Sequence, residues 1–156
     1  MKKNIIIILS IFISSFVFAA EIEFLGTGKF NLNSVKTDKV KYVSAIFDQT
    51  LVVNKSNSSF FKVGDIMVGR KCIGYSKTIK GKTILEGSCI YKDSQGDSIF
   101  AIFDRKGNAG ESGSGGQLKM EGISGKFKDF NASCKYEAKY IKNQDLYLVN
   151  FAKCTH

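Results

Sequence analysis

The chain has 156 residues, with 23 Lys and Arg against 14 Asp and Glu, a single His, four Cys, and no Pro or Trp. That length suits one domain with one core. A formal charge of +9 admits nucleic acid, an anionic membrane surface or an acidic glycan as partner, yet the lysines are scattered singly and no run of four like charges marks a docking stripe.

At the N-terminus, Lys2 and Lys3 precede an apolar stretch, Ile5 to Phe18, broken only by serines, and Val17 and Ala19 place small residues at −3 and −1 of a cleavage site. We expect residues 1–19 to be removed as a signal peptide, leaving 20–156 as a single β-barrel domain. The apolar stretch falls short of the roughly 20 residues that a spanning helix needs. Loss of Lys2 and Lys3 lowers the formal charge to +7. Export to the periplasm or the medium argues against nucleic acid as a partner. It leaves solubility as the simplest account of the charge, with contact to an anionic surface as the alternative.

From there on, the chain reads as strands separated by turns. Val43 to Val53 is rich in β-branched residues. Phe60 to Val68 follows a polar break, and Cys72 to Ile79 and Thr83 to Tyr91 flank Lys80-Gly81. The turn residues Asp93 to Asp97 lead into Ser98 to Asp104. Gly107 to Gly116 reads as a mobile hairpin loop, or else as a lid over a barrel mouth. Gln117 to Met120, Lys126 to Phe130, Ser133 to Ile141 and Leu146 to Lys153 complete the series. This spacing predicts an antiparallel sandwich or barrel. Absence of proline, the usual edge-blunting device, favours the closed form, with 13 Phe and six Tyr to fill it.

The cysteines fit that pattern. If Lys80-Gly81 is a two-residue turn, opposite residues add to 161, as Cys72 and Cys89 do. If Asn143-Gln144-Asp145 is a three-residue loop, opposite residues add to 288, as Cys134 and Cys154 do. Two hairpin disulfides follow, Cys72–Cys89 and Cys134–Cys154, suited to an oxidising compartment. The 72/89 pair falls on a non-hydrogen-bonded position, where α-carbons approach to about 4.5 Å. Cysteine spacings of this length do not suggest a metal site.

Residues that could carry chemistry are few. His156 ends the chain, where fraying is expected. Gly26-Thr27-Gly28-Lys29 lacks the first Gly and the Ser or Thr of a phosphate loop, and Gly113-Ser-Gly115 lacks the last Gly of a dinucleotide fingerprint. Asp93, Gln95 and Asp97 resemble part of a calcium loop, but Gly96 comes too early, so a turn with solvated carboxylates is the better account. No metal or cofactor is expected. Glu86 and Asp48, within apolar strands, are the candidate acid–base residues should either point inward, where desolvation would raise a carboxyl pKa. Glu86 faces Tyr75 on the proposed register.

The stretch Gly115-Gly-Gln-Leu-Lys-Met-Glu-Gly-Ile-Ser-Gly-Lys-Phe127 resembles the Gly-Gly-x-Gly-x-Phe-x-Gly-x-x-Gly signature of allene oxide cyclase-like and dirigent-like barrels, and Phe47 to Val53 is similar to an early strand of those proteins. The resemblance implies an eight-stranded antiparallel barrel, calycin-like, with an apolar cavity and often trimeric. No residue matches those families' functional positions one by one. Independently of it, Gly115, Gly116, Gly122 and Gly125 are spaced as where strands bend or pass closely.

Three functions remain in view. The first is non-catalytic binding of an apolar or amphipathic small ligand. The second is a cyclase or dirigent-type barrel using Glu86 or Asp48. The third is a secreted interaction or inhibitor protein acting through its loops. A cavity of at least about 300 Å³ would favour the first two, and a barrel packed solid with Phe the third.

Overall fold

The computed structural model describes residues 19–108, 115–141 and 147–156. The expected signal peptide, the middle of the glycine loop and the 143–145 loop therefore lie outside the described residues, apart from Ala19. Eight strands, β1 (Glu21–Lys36), β2 (Val40–Ser56), β3 (Ile66–Ile79), β4 (Lys82–Lys92), β5 (Ser98–Asn108), β6 (Gly115–Gly122), β7 (Asn131–Ile141) and β8 (Tyr147–Thr155), each pair antiparallel with the next. β8 returns to β1 and closes the barrel. The expected fold class, an all-β closed eight-stranded antiparallel barrel, is what forms.

Strand alternation fills the interior. Ile22, Phe24 and Phe30 point inward from β1, Phe47, Leu51 and Val53 from β2, and Cys134, Tyr136 and Ala138 from β7. Both crosslinks form as the hairpin arithmetic predicts. The β3–β4 register runs from Ile79↔Lys82 to Ile73↔Ser88 around a turn in which Lys80 (φ 48°) and Gly81 (φ 77°) are both left-handed. This is the primed geometry that matches strand twist, and it asks positive φ of the lysine as well as the glycine. Cys72 and Cys89 are joined with Cα atoms 4.4 Å apart, and Cys134 and Cys154 with Cα atoms 3.9 Å apart on the register that adds to 288.

A bulge lies immediately beyond Cys72. The register shifts between Gly69 and Ile73, and Lys71 takes φ 54°. One extra residue moves the inward set of β3 from Met67 and Gly69 to Cys72 and Gly74. Because the bulge is on the far side of Cys72 from the turn, it leaves the 72/89 count intact.

Two segments expected as strands form something else. Phe60 to Val68 joins the sheet only from Ile66; residues 57–65 are a loop, turned by Gly64 (φ 91°) and by a Lys62 N–H bond to the Asp65 carboxylate at 2.9 Å. Lys126 to Phe130 begins as a 3₁₀ turn, Gly125–Phe127, and continues as a loop. Both segments carry aromatic pairs that fold under the barrel: Phe61 packs on Phe24 (5.3 Å), Phe127 (5.0 Å) and Phe130 (5.2 Å). Short apolar runs look alike whether they line a sheet or cork its end. β1 is the converse case, a strand the sequence reading did not assign, because Gly26 and Gly28 occupy two of its inward positions. The glycines at 115, 116, 122 and 125 are close approaches as expected: Gly116 lies against the Tyr136 ring, and Gly125 (φ 60°) against the Asp97 carboxylate.

Candidate functional site

Between the aromatic cork and the opposite end, the barrel interior holds two adjoining chambers. The inner has a volume of about 60 Å³ and the outer about 200 Å³. Phe30, Phe47, Leu85 and Phe103 belong to the walls of both. These rings form a collar, Phe30 stacked on Phe47 at 4.8 Å and Phe47 edge-on to Phe103 at 5.9 Å. The outer chamber adds Leu32, Val43, Ala45 and Ser76 from the strand ends beside the 37–39 and 80–81 turns. Neither chamber reaches the roughly 300 Å³ of an ordinary ligand cavity, yet the interior is not packed solid with Phe. Larger hollows, such as one of about 620 Å³ beside Ile66, Ile90 and Lys92, lie on the outer wall.

The inner chamber is where polar groups gather. Gln49 and Arg105 are 5% and 9% exposed, and both line it together with Tyr91, Tyr136 and Asn150. The Tyr91 hydroxyl donates to Gln49 Oε1. Burial holds the Tyr91 pKa far above its ordinary value, so this phenol stays protonated and remains a donor. With its oxygen engaged, Gln49 presents a buried Nε2 that has no hydrogen-bond partner; Asn150 Oδ1 is likewise buried without one. Buried polar groups are paired in most proteins, and each exception calls for an explanation. Tyr136 donates to the Asp104 carbonyl at 3.2 Å.

β1 makes room for these amides. Gly26 pairs with Leu51 and Asn150, and Gly28 with Gln49 and Leu148. A Cβ on Gly26 would collide with Asn150 Oδ1. The glycine pair that looked like a damaged phosphate loop is thus a thinned stretch of barrel wall, paired on both sides.

Neither candidate carboxylate reaches the interior. Glu86 is opposite Tyr75, as the register required, and opposite Asp104 on β5, but its side chain is exposed. Leu85, Gly87, Cys89 and Tyr91 take the inward positions of β4, which leaves Glu86 outside by alternation. Asp48 is also exposed, and its carboxylate accepts the Lys71 N–H at 2.8 Å. It satisfies the backbone of the β3 bulge. Among the described residues no Asp or Glu lines either chamber.

Two further expectations need revision. His156 does not fray. It exchanges backbone hydrogen bonds with Ala20 at 3.1 Å, its ring packs on Phe60 (5.3 Å) and Phe130 (5.5 Å), and Nε2 lies 2.7 Å from Ser58 Oγ. It belongs to the cork and lines neither chamber. The 93–97 turn forms, with Asp93 Oδ1 accepting the N–H groups of Gln95 (2.8 Å) and Asp97 (3.0 Å). The Asp93 carboxylate is covered rather than solvated, and Lys126 Nζ sits 3.0 Å away. Desolvation opposes its ionisation, but the Lys126 ammonium and the two N–H groups outweigh it and hold the Asp93 pKa below the ordinary value. Among the described residues no cluster is suited to a metal ion.

Charge is unevenly placed on this barrel. Among the described residues, Lys36, Lys39, Lys41, Lys77, Lys80, Lys82 and Lys139 stand at the strand ends around the outer chamber, with Asp38 in the 37–39 turn beside them. At the corked end the signs alternate: Glu21 contacts Lys55 (3.9 Å) and Lys153 (3.3 Å), and Asp93 contacts Lys126. Lysines scattered singly in sequence are gathered by the up-and-down topology, because every second connection returns to the same end.

Fold and chambers together define a small closed barrel with a divided, mostly apolar interior. No family model matches the chain, and no curated protein matches it. It is similar to a protein of unknown function from Clostridium acetobutylicum ATCC 824 seen in a crystal structure, with a TM-score of 0.61 and 12% identity, covering 86% of this chain and 95% of that one. At that identity the likeness is one of fold.

Proposed function

We propose that this is an exported, non-catalytic binding protein that takes a small apolar or amphipathic ligand into the barrel through the lysine-ringed end. The observation that carries this reading is the inner chamber, an apolar hollow containing a buried amide donor with no protein partner. A few convergent polar groups in an apolar concavity are the usual makings of a ligand site. The chambers are small, which argues for a ligand well below ordinary drug size. Two disulfides fit an oxidising compartment. Together with the leader-like residues 1–19, they support export to the periplasm or beyond. The cyclase or coupling alternative loses support, since the carboxylates it would use lie on the outer wall.

Native mass spectrometry of protein purified from its own host tests the reading. A retained mass released by organic solvent is expected, together with displacement of that mass by the neutral probe N-phenyl-1-naphthylamine. Protein that carries no adduct and does not take up the probe would overturn it.

A further inference from the structure

We infer that the lysine-bearing end docks on an anionic lipid bilayer, laying the outward face of the β1–β4 strand ends against it. This goes beyond the ligand reading above and holds whether or not the interior is occupied.

Those strand ends form a flap. β8 pairs with β1 from Glu21 to Lys29, and β1 then runs on to Lys36 with β2 as its only partner among the described residues. Leu32, Val43, Ser76 and Leu85 line the outer chamber, so alternation turns Val35, Tyr42, Ile79 and Ile84 outward. Those four are 40–69% exposed. The pairs Val35↔Tyr42, Tyr42↔Lys77 and Lys77↔Ile84 set four side chains in a row across four strands, and Ile79 is opposite Lys82. Lys77 Nζ sits 5.5 Å from the centre of the Tyr42 ring, within cation–π range. Apolar and basic side chains therefore share one face.

Charge and apolar exposure together select the partner. Segments 33–43 and 75–85 carry Lys36, Lys39, Lys41, Lys77, Lys80 and Lys82 against the acid Asp38. A second copy is disfavoured, because like-charged flaps repel. Lysine is depleted from protein–protein interfaces, which argues against a protein partner. A soluble polyanion such as an acidic glycan would meet the lysines but leave the four apolar side chains in water. An anionic bilayer meets both. Ammonium groups reach the headgroup phosphates, while the lysine stems, the Tyr42 ring and the aliphatic side chains enter the apolar boundary. At the corked end, by contrast, Lys55 and Lys153 are paired with Glu21.

Flotation of the full mature protein with lipid vesicles tests this. Vesicles of phosphatidylglycerol and phosphatidylcholine in equal parts should bind it at least about tenfold more tightly than phosphatidylcholine alone, and binding should weaken as salt rises. Lys77→Gln with Lys82→Gln should cost about tenfold or more, and Val35→Ser with Ile79→Ser about fivefold or more. Lys55→Gln with Lys153→Gln makes the same change in net charge at the corked end and should leave binding within about twofold. Equal binding to phosphatidylcholine alone, or no binding to either vesicle, would overturn the proposal. So would a corked-end variant as weak as the Lys77 and Lys82 variant, which would mean that net charge alone acts. A Val35 and Ile79 variant that binds like the unmutated protein would mean contact with a polyanion only, and would overturn it too. Hydrogen exchange on the unmutated protein locates the face without any variant. Protection by vesicles is expected at 33–43 and 75–85, and protection at 57–65 and 123–130 instead would sink the assignment.

Discussion

At one end of the barrel, Phe61, Phe127 and Phe130 pack beneath the strands, and the connections that deliver them, residues 57–65 and 123–130, are long enough to fold inward. At the other end, the described connections, 37–39 and 80–81, are too short to cross the opening and carry no aromatic residue. The closed end is bound by apolar contact and neutralised by mixed ion pairs. The other end carries lysines on its described segments, and like charges there repel one another. The same eight strands thus make one end that is closed by its connections and another whose described connections stay clear of the interior. Loop length and the placement of phenylalanine decide which is which.

Substitutions at the two ends should separate those roles. The largest effect is expected for Phe61→Ala, a loss of about 3–5 kcal/mol in urea denaturation, with probe affinity per folded molecule unchanged. Removing the Cys134–Cys154 crosslink by double substitution to Ala should lower stability by roughly 2–4 kcal/mol, read as a shift in denaturation midpoint. Gly26→Ala tests the wall between the ends. Overpacking against Asn150 should destabilise by about 1–3 kcal/mol, and unlike the Phe61 variant it should also weaken probe binding.

Smaller effects sharpen the electrostatic side of the comparison. The Asp93 carboxyl is held ionised in the folded state below its ordinary pKa, so the unfolded chain takes up the proton first as pH falls. The stability Asp93 supplies is therefore present above the unfolded carboxylate value of about 3.9 and is lost as pH drops through the lowered native value. Asp93→Asn should remove that part of the acid slope, up to about 1 kcal/mol for a pair with an exposed Lys126 partner, measured by thermal melts across pH 2–6. The smallest change in stability, within about 0.5 kcal/mol, is expected for Lys80→Glu with Lys82→Glu at the mouth. Removing positive charge there should make the remaining change in stability salt-dependent, and it should vanish near 1 M salt, where the Debye length is about 3 Å.

Much of the framework was legible in the residues themselves. Hairpin registers depend on local turn chemistry, so Lys80-Gly81 specified the neighbours of Cys72, and the even cysteine count then specified a crosslink. β-Branched and apolar runs bounded by turn residues marked β2, β4, β5 and β7 for the same local reason. Glu86 shows where local reading stops. Its neighbour across the hairpin was predictable, but which side of the sheet faces inward depends on the closure of all eight strands. Cys89 and Tyr91, two and four residues from Gly87, carried the parity that excluded Glu86 from the interior.

Arg105, Gln49 and Asn150 were not legible at all. Each is a polar residue in an apolar strand, and in sequence it cannot be told from a solvent-facing position. Gly26 and Gly28 looked like a failed phosphate loop because their role, leaving space for side chains on β2 and β8, involves partners far along the chain: Leu51 and Asn150 are 25 and 124 residues from Gly26. The sequence by itself determined most of the strands, the Lys80-Gly81 turn and both covalent links, because these rest on contacts between chain neighbours or on a count of cysteines. Only the tertiary structure decided which polar groups are buried, which loops become the cork, and that the lysines crowd one rim, because each of those depends on where the eight strands close on one another.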